Sequence, residues 1–156
     1  MIDPVQLRNL VVRPVLKQLE LWSESAENLL MGTAAQESQL GTYIEQIRGP
    51  AVGIFQMESA THDDLWKNFL PGQRALLKKL NSLKLADWSS TDKAGQMAGN
   101  LYYAMCRIHY WRVKEALPVA ADIAGLARYW KRYYNTPRGA GTEQQFMDAY
   151  RLRVLS

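Results

Sequence analysis

A single cysteine, Cys106, stands among 156 residues, which excludes an internal disulfide and a cysteine-based zinc cluster. Two histidines, His62 and His109, are too few for a typical histidine-rich metal site, and no metal or cofactor is expected. No apolar run approaches the roughly 18 residues of a membrane span. Residues Met1 to Leu10 lack the charged-then-apolar order of a secretion signal. Synthesis in a reducing cytoplasm is the expectation, with any work outside the cell left to another delivery route. No internal repeat, low-complexity tract or linker interrupts the chain, so a single domain spanning 1–156 is expected, large enough to bury a core.

Phenylalanine is also scarce, with three copies against five tryptophans and eight tyrosines. Amphipathic aromatics in that excess suit a groove that stacks sugars or bases, and they equally suit a buried core. Hydrophobic content is 47% and charged content 22%, the balance of an ordinary globular protein. Net charge is +4 but uneven: residues 107–153 carry nine Lys/Arg against four Asp/Glu, and the remainder is close to neutral. The basic third is either a solvated helix face or a surface for nucleic acid, anionic glycan or membrane.

The order of elements follows from caps and periodicity. Asp3-Pro4 starts a helix, and Pro14 should kink or split it. Ser23 or Ser25 caps the next helix, in which Leu29, Leu30, Thr33, Ala34 and Glu37 recur at steps of three and four. Gly41 is its expected left-handed stop. Thr42 to Gly53 reads as loop broken by Gly49-Pro50, with at most a minor β-like piece. A short helix starts at Ser59, a turn falls at Pro71-Gly72, and a helix covers Arg74 to Leu83. Asp87 to Thr91 reads as a polar break. The spacing then predicts a long central helix from about Asp92 to Leu117, ended by Pro118. Another helix covers Val119 to Tyr133, a loop follows over Asn135 to Gly141, and Thr142 caps a last helix with Phe146, Ala149 and Tyr150 inward. The expected class is all-α, or α+β only by a minor β-like loop.

Two stretches carry chemistry: Ala35-Gln36-Glu37-Ser38-Gln39-Leu40-Gly41 and Ala51-Val52-Gly53-Ile54-Phe55-Gln56-Met57. A carboxylate at the end of an apolar helix face has its pKa raised by partial burial, which a general acid near neutral pH needs. By periodicity alone Glu37 is either that acid or a surface glutamate paired with a cation such as Arg48. Gly53 lets backbone approach a ligand or another chain segment closely. Gln56 offers an amide that both donates and accepts, or is simply solvated. Asn135, after Tyr133-Tyr134, either caps a turn or holds a sugar N-acetyl group above a tyrosine ring.

Taken together, Glu37-Ser38, then Gly53-Ile54-Phe55-Gln56-Met57 with Thr61 after it, then the distant Tyr134-Asn135, resemble the soluble lytic transglycosylases and goose-type lysozymes. That family shows Glu-Ser, Gly-x-x-Gln with a hydrophobic residue and a nearby Thr, and Ala-Tyr-Asn. Gln56 follows Glu37 by nineteen residues, a separation that fits the pattern. The resemblance runs from about Ala26 to Gly141. It implies a lysozyme-like helical domain with a substrate cleft, acting on the β-1,4 bond between N-acetylmuramic acid and N-acetylglucosamine.

By position, the resemblance implies that Glu37 is the catalytic acid and then base. Substrate binding then falls to Ser38, Gly53, Gln56, Tyr134 and Asn135, Ser38 positioning substrate or water. In transglycosylases of this type the sugar's own C6 hydroxyl attacks, so no second carboxylate is required. A hydrolytic version needs a group to activate water, and Glu45, Glu58, Asp63 and Asp64 are available without a recognisable motif. Tyr133 stands where the family has alanine, and Thr136-Pro137 replace small residues, which implies a stiffer loop after Asn135. Peptidoglycan glycan strands are the implied partner. Other virion proteins are a second possible partner, and no nucleic acid is expected. A bacteriophage context, with delivery to the cell wall by a virion or after lysis, accords with the missing export signal. The competing readings are a non-enzymatic phage structural or glycan-binding protein that keeps the fold, and a helical nucleic-acid-binding protein using the basic third.

Overall fold

The computed structural model describes residues 1–85 and 95–155, and it is all-α apart from one two-stranded hairpin. Asp3 caps α1 (Pro4–Leu7) by accepting from the Gln6 amide at 3.0 Å. The helix continues through a π-turn over Arg8–Val12 into α2 (Arg13–Gln18). Pro14 has no N–H for the Leu10 carbonyl, and the wider turn just before it absorbs the mismatch, so the expected kink takes the form of a π-bulge.

Ser23 caps α3 (Glu24–Ser38), the longest described helix and the one around which the others gather. Ala26, Leu29, Leu30, Thr33 and Ala34 are all buried along it, as their spacing requires. Gly32 lies where α9 (Glu143–Arg153) crosses: a Cβ there would meet the Phe146 ring at 2.3 Å. The helix stops sooner than Gly41. Gln39 (φ 52°) and Leu40 (φ 53°) are already left-handed, and Gly41 (φ 83°) completes the reversal. Left-handed backbone is unfavourable for non-glycine residues. Full burial of Leu40, and a bond from its amide to the Ala34 carbonyl at 3.1 Å, offset it.

The loop that follows leads into β1 (Ala51–Val52), paired antiparallel with β2 (Met57–Glu58), so the minor β-like piece is a hairpin. Next come α4 (Ser59–Asp64), a π-turn over Leu65–Phe69 and α5 (Arg74–Leu83). The predicted break at Asp87–Thr91 and the predicted start at Asp92 lie outside the described residues.

The long central helix is not formed. Its place is taken by α6 (Gln96–Gly99), an irregular stretch, and α7 (Met105–Val113). Asn100 is extended; its side chain donates to the Leu83 carbonyl at 2.8 Å and accepts from the Tyr102 amide at 3.1 Å. An Asn side chain that competes for backbone groups in this way ends a helix. At the other end Lys114 turns left-handed (φ 60°), before Pro118 is reached. The helix predicted over Val119–Tyr133 begins later, with Asp122 capping α8 (Ile123–Trp130), and closes in a π-turn over Lys131–Asn135. Thr142 and Gln145 form a capping box at the start of α9.

Two apolar clusters make the core. One is built by α3, α8 and α9 around Trp130, Phe146 and Leu30; the other joins α5, α6 and α7 around Leu65, Leu80 and Ile108. Tyr134 packs against both. No described helix is long and apolar enough to cross a membrane.

Candidate functional site

A groove of about 570 Å³ opens where the end of α3, the β-hairpin and the segment after α8 converge. Glu37 sits in it, half-buried, in the last turn of α3. Its Oε1 accepts a hydrogen bond from the indole N–H of the fully buried Trp130 at 3.0 Å. No cation lies within ion-pair distance of it among the described residues, and Arg48 is exposed on the loop. Burial pushes the Glu37 carboxyl up to about 7, although the Trp130 bond favours the ionised form. Its place at the helix C-terminus opposes negative charge as well. A proton is thus held near neutral pH at one carboxyl on the groove floor.

Gln56 and Met57 line the same groove from the hairpin, with Thr61 beside them on α4. Gln56 is left-handed (φ 49°), and its Nε2 donates to the Gly53 carbonyl at 2.9 Å. That bond fixes the amide, leaving Oε1 as the acceptor offered to the groove.

Gly53 itself does not line the groove. It is buried, with φ 85°, and a Cβ there would sit 2.2 Å from the Met97 carbonyl oxygen. Its smallness serves the approach of another chain segment, not of a ligand. Ser38 does not line the groove either. It is fully buried, and its Oγ lies 2.5 Å from the Ile54 carbonyl and 3.1 Å from that of Ala34 while accepting from the Gly41 amide at 2.9 Å. The hydroxyl ties the helix bearing Glu37 to the turn bearing Gln56, so a role in touching substrate or water is replaced by one in spacing the two stretches.

The third set of lining residues comes from the π-turn and loop after α8. Tyr134 lines the groove and donates its hydroxyl to the Phe55 carbonyl at 2.6 Å, which couples this segment to the hairpin. Burial keeps that phenol far above its ordinary pKa, so it stays a donor. Asn135 also lines the groove, and its Oδ1 accepts from Lys131 Nζ at 2.7 Å. The same ammonium donates to the Gly139 and Gly141 carbonyls at 2.9 and 2.7 Å. The loop is therefore closed on a half-buried cation, and Asn135 presents its amide nitrogen rather than its oxygen for other contacts.

Periodicity alone missed three contributors. Trp130 is legible as an inward aromatic, but its bond to Glu37 crosses 93 positions. Lys131 reads as one more basic residue on a charged segment. His109 lines the groove, with Nε2 2.9 Å from the Tyr133 carbonyl, which makes Nε2 the protonated nitrogen. Burial lowers its pKa, and its buried Nδ1 has no hydrogen-bond partner among the described residues. A neutral ring with an unused acceptor is therefore built into the groove wall.

Of the other carboxylates considered for activating water, only Glu58 lines the groove. Asp63 bonds the His62 ring at 2.9 Å and Asp64 pairs with Arg112 at 2.5 Å. Cys106 is buried and its thiol is pushed up by burial, which removes it as a nucleophile. Among the described residues no group of three His, Cys, Asp or Glu could hold a metal ion. No family model, curated protein or solved structure matches the chain.

Proposed function

We propose that the protein is a peptidoglycan-cleaving enzyme, a lytic transglycosylase acting between N-acetylmuramic acid and N-acetylglucosamine. The observation that carries this reading is Glu37: an uncompensated carboxyl in a sugar-sized groove, protonated near pH 7 and flanked by amide side chains. Protonated Glu37 donates its proton to the glycosidic oxygen as the C1–O bond breaks. The resulting carboxylate takes the proton from the muramyl C6 hydroxyl, whose oxygen closes on C1 to give a 1,6-anhydro ring. Glu37 then carries a proton again, and no water is consumed. Gln56, Asn135 and the ring of Tyr134 bind the sugar's N-acetyl and hydroxyl groups. The Glu-Ser and Gly-x-x-Gln resemblance supports the same assignment, Ser38 serving to hold the two stretches together.

A hydrolase is the alternative, and Glu58 favours it, because a second carboxyl group on the same groove is what an inverting mechanism uses to activate water. Digestion of purified sacculi separates the readings. Anhydro-muramyl ends by mass spectrometry mark the transglycosylase, and reducing ends alone mark the hydrolase. If the wild type releases nothing, a glycan-binding protein without turnover is the remaining reading of the groove, and if Glu37→Gln releases the same products as the wild type, Glu37 is not the acid.

A further inference from the structure

We propose that a second pocket, on α7 and the segment after it, binds a carboxylate-bearing small molecule or peptide end through the guanidinium of Arg107. The pocket holds about 510 Å³ and is lined by Arg107, Trp111, Lys114, Glu115, Leu117 and Tyr129, among others. It shares no lining residue with the groove and rests on no step of the chemistry assigned there.

Arg107 is 5% exposed, yet no carboxylate lies within 4 Å of it among the described residues. Its Nε donates to the Leu21 carbonyl at 3.2 Å, and among the described residues its two terminal nitrogens donate to no acceptor. A buried cation without a counter-charge is expensive to hold, and burial here lowers the guanidinium pKa, as expected. The guanidinium carbon stands 5.6 Å from the Trp111 ring centroid, which compensates part of the charge and orients the fork.

The donor set selects the ligand. Two parallel N–H groups on a planar fork match the two oxygens of a carboxylate. Lys114 adds a second cation at the pocket and Glu115 an anion, so the charge facing a ligand is close to +1. That favours a monoanion over a phosphate dianion. Trp111 is 42% exposed, and its ring offers a flat apolar face for the body attached to the carboxylate. Tyr129 donates its hydroxyl to the Glu115 carbonyl at 3.0 Å, which ties the segment after α7 to α8.

Nitrogen-15 NMR of the full chain, titrated with sodium benzoate, acetylglycine, benzamide and inorganic phosphate, tests the assignment. The two carboxylates should give saturable shifts at the Arg107 Nε–H, the Trp111 indole N–H and the Lys114 and Glu115 amides, and benzamide should give none. Arg107→Lys keeps the charge but loses the fork, and should weaken benzoate binding about tenfold. Glu115→Gln should tighten it severalfold, and Glu37→Gln should leave it unchanged. Equal shifts with benzamide, unaltered binding in a well-folded Arg107→Lys, or saturation by phosphate in preference to carboxylates would each overturn the proposal.

Discussion

The two ends of α3 carry the same side chain in opposite electrostatic states. Glu27, in the first turn, is 2% exposed, more deeply buried than Glu37 in the last. Burial alone would push Glu27 upward, yet bonds from Arg13 at 2.6 and 3.1 Å and from Arg8 at 3.0 Å hold it below the usual carboxylate range. Glu37 meets an indole N–H and no cation, and rises to about 7. The helix dipole reinforces both, favouring charge at the N-terminus and opposing it at the C-terminus. Burial therefore does not decide protonation here; the partner does. The first-turn glutamate is an anchor joining the α1–α2 arm to α3, and the last-turn glutamate is a proton carrier.

The largest effect expected from breaking this contrast is on turnover. Glu37→Gln should reduce release of muropeptides from sacculi by about 10²–10⁴-fold, the contribution of a general acid to the rate. Glu27→Gln should leave the activity of folded protein nearly unchanged. Comparable losses in both variants would mean that Glu37 has no special role.

Stability against pH should separate the two carboxyls next. The folded pKa of Glu37 lies above the unfolded value of 4.5, so ionising it opposes folding increasingly as pH rises from 4.5 through 7. Glu37→Gln should match wild type in urea unfolding at pH 4 and exceed it by up to about 3 kcal/mol at pH 8. Glu27 has the opposite sign: its contribution is present above pH 4.5 and is lost as pH falls toward its depressed folded pKa. Glu27→Gln should destabilise the fold by about 2–3 kcal/mol at pH 7, with the deficit shrinking in acid. A deficit that grew in acid would contradict the pairing with Arg8 and Arg13.

The smallest expected change comes from Trp130→Phe. Loss of the indole N–H removes the one contact among the described residues that favours ionised Glu37, so its pKa should rise further. Carbon-13 titration of the Glu37 carboxyl reads this directly. The alkaline limb of activity, set by loss of the proton, should move up with it; movement downward would show that the indole bond disfavours charge.

Much of the helical order was legible because it is local. Asp3, Ser23 and Thr142 cap helices through amides three residues away, a distance the chain itself sets. Glu37 was placed on the inward face by a 3.6-residue period. The long helix failed because Asn100 binds the Leu83 carbonyl, a tertiary contact that outweighs favourable helix propensity on either side. Ser38 and Gly53, read in the sequence as substrate-binding, hold the site together in the folded chain. A buried hydroxyl bonded to backbone and a glycine pressed on Met97 look the same in one dimension as residues touching a ligand.

Residue order alone determined that this chain is helical, where most of its described helices begin, and that a carboxyl and an amide flank one loop. Those are consequences of backbone caps and side-chain period, which act over four residues or fewer. Only the folded chain decided that Glu37 keeps its proton, because that depends on meeting Trp130 and no cation. It likewise decided that Lys131 closes the groove loop and that Arg107 lies buried without a counter-charge among the described residues. Desolvation and pairing are properties of surroundings assembled from distant parts of the chain, and periodicity carries no record of them.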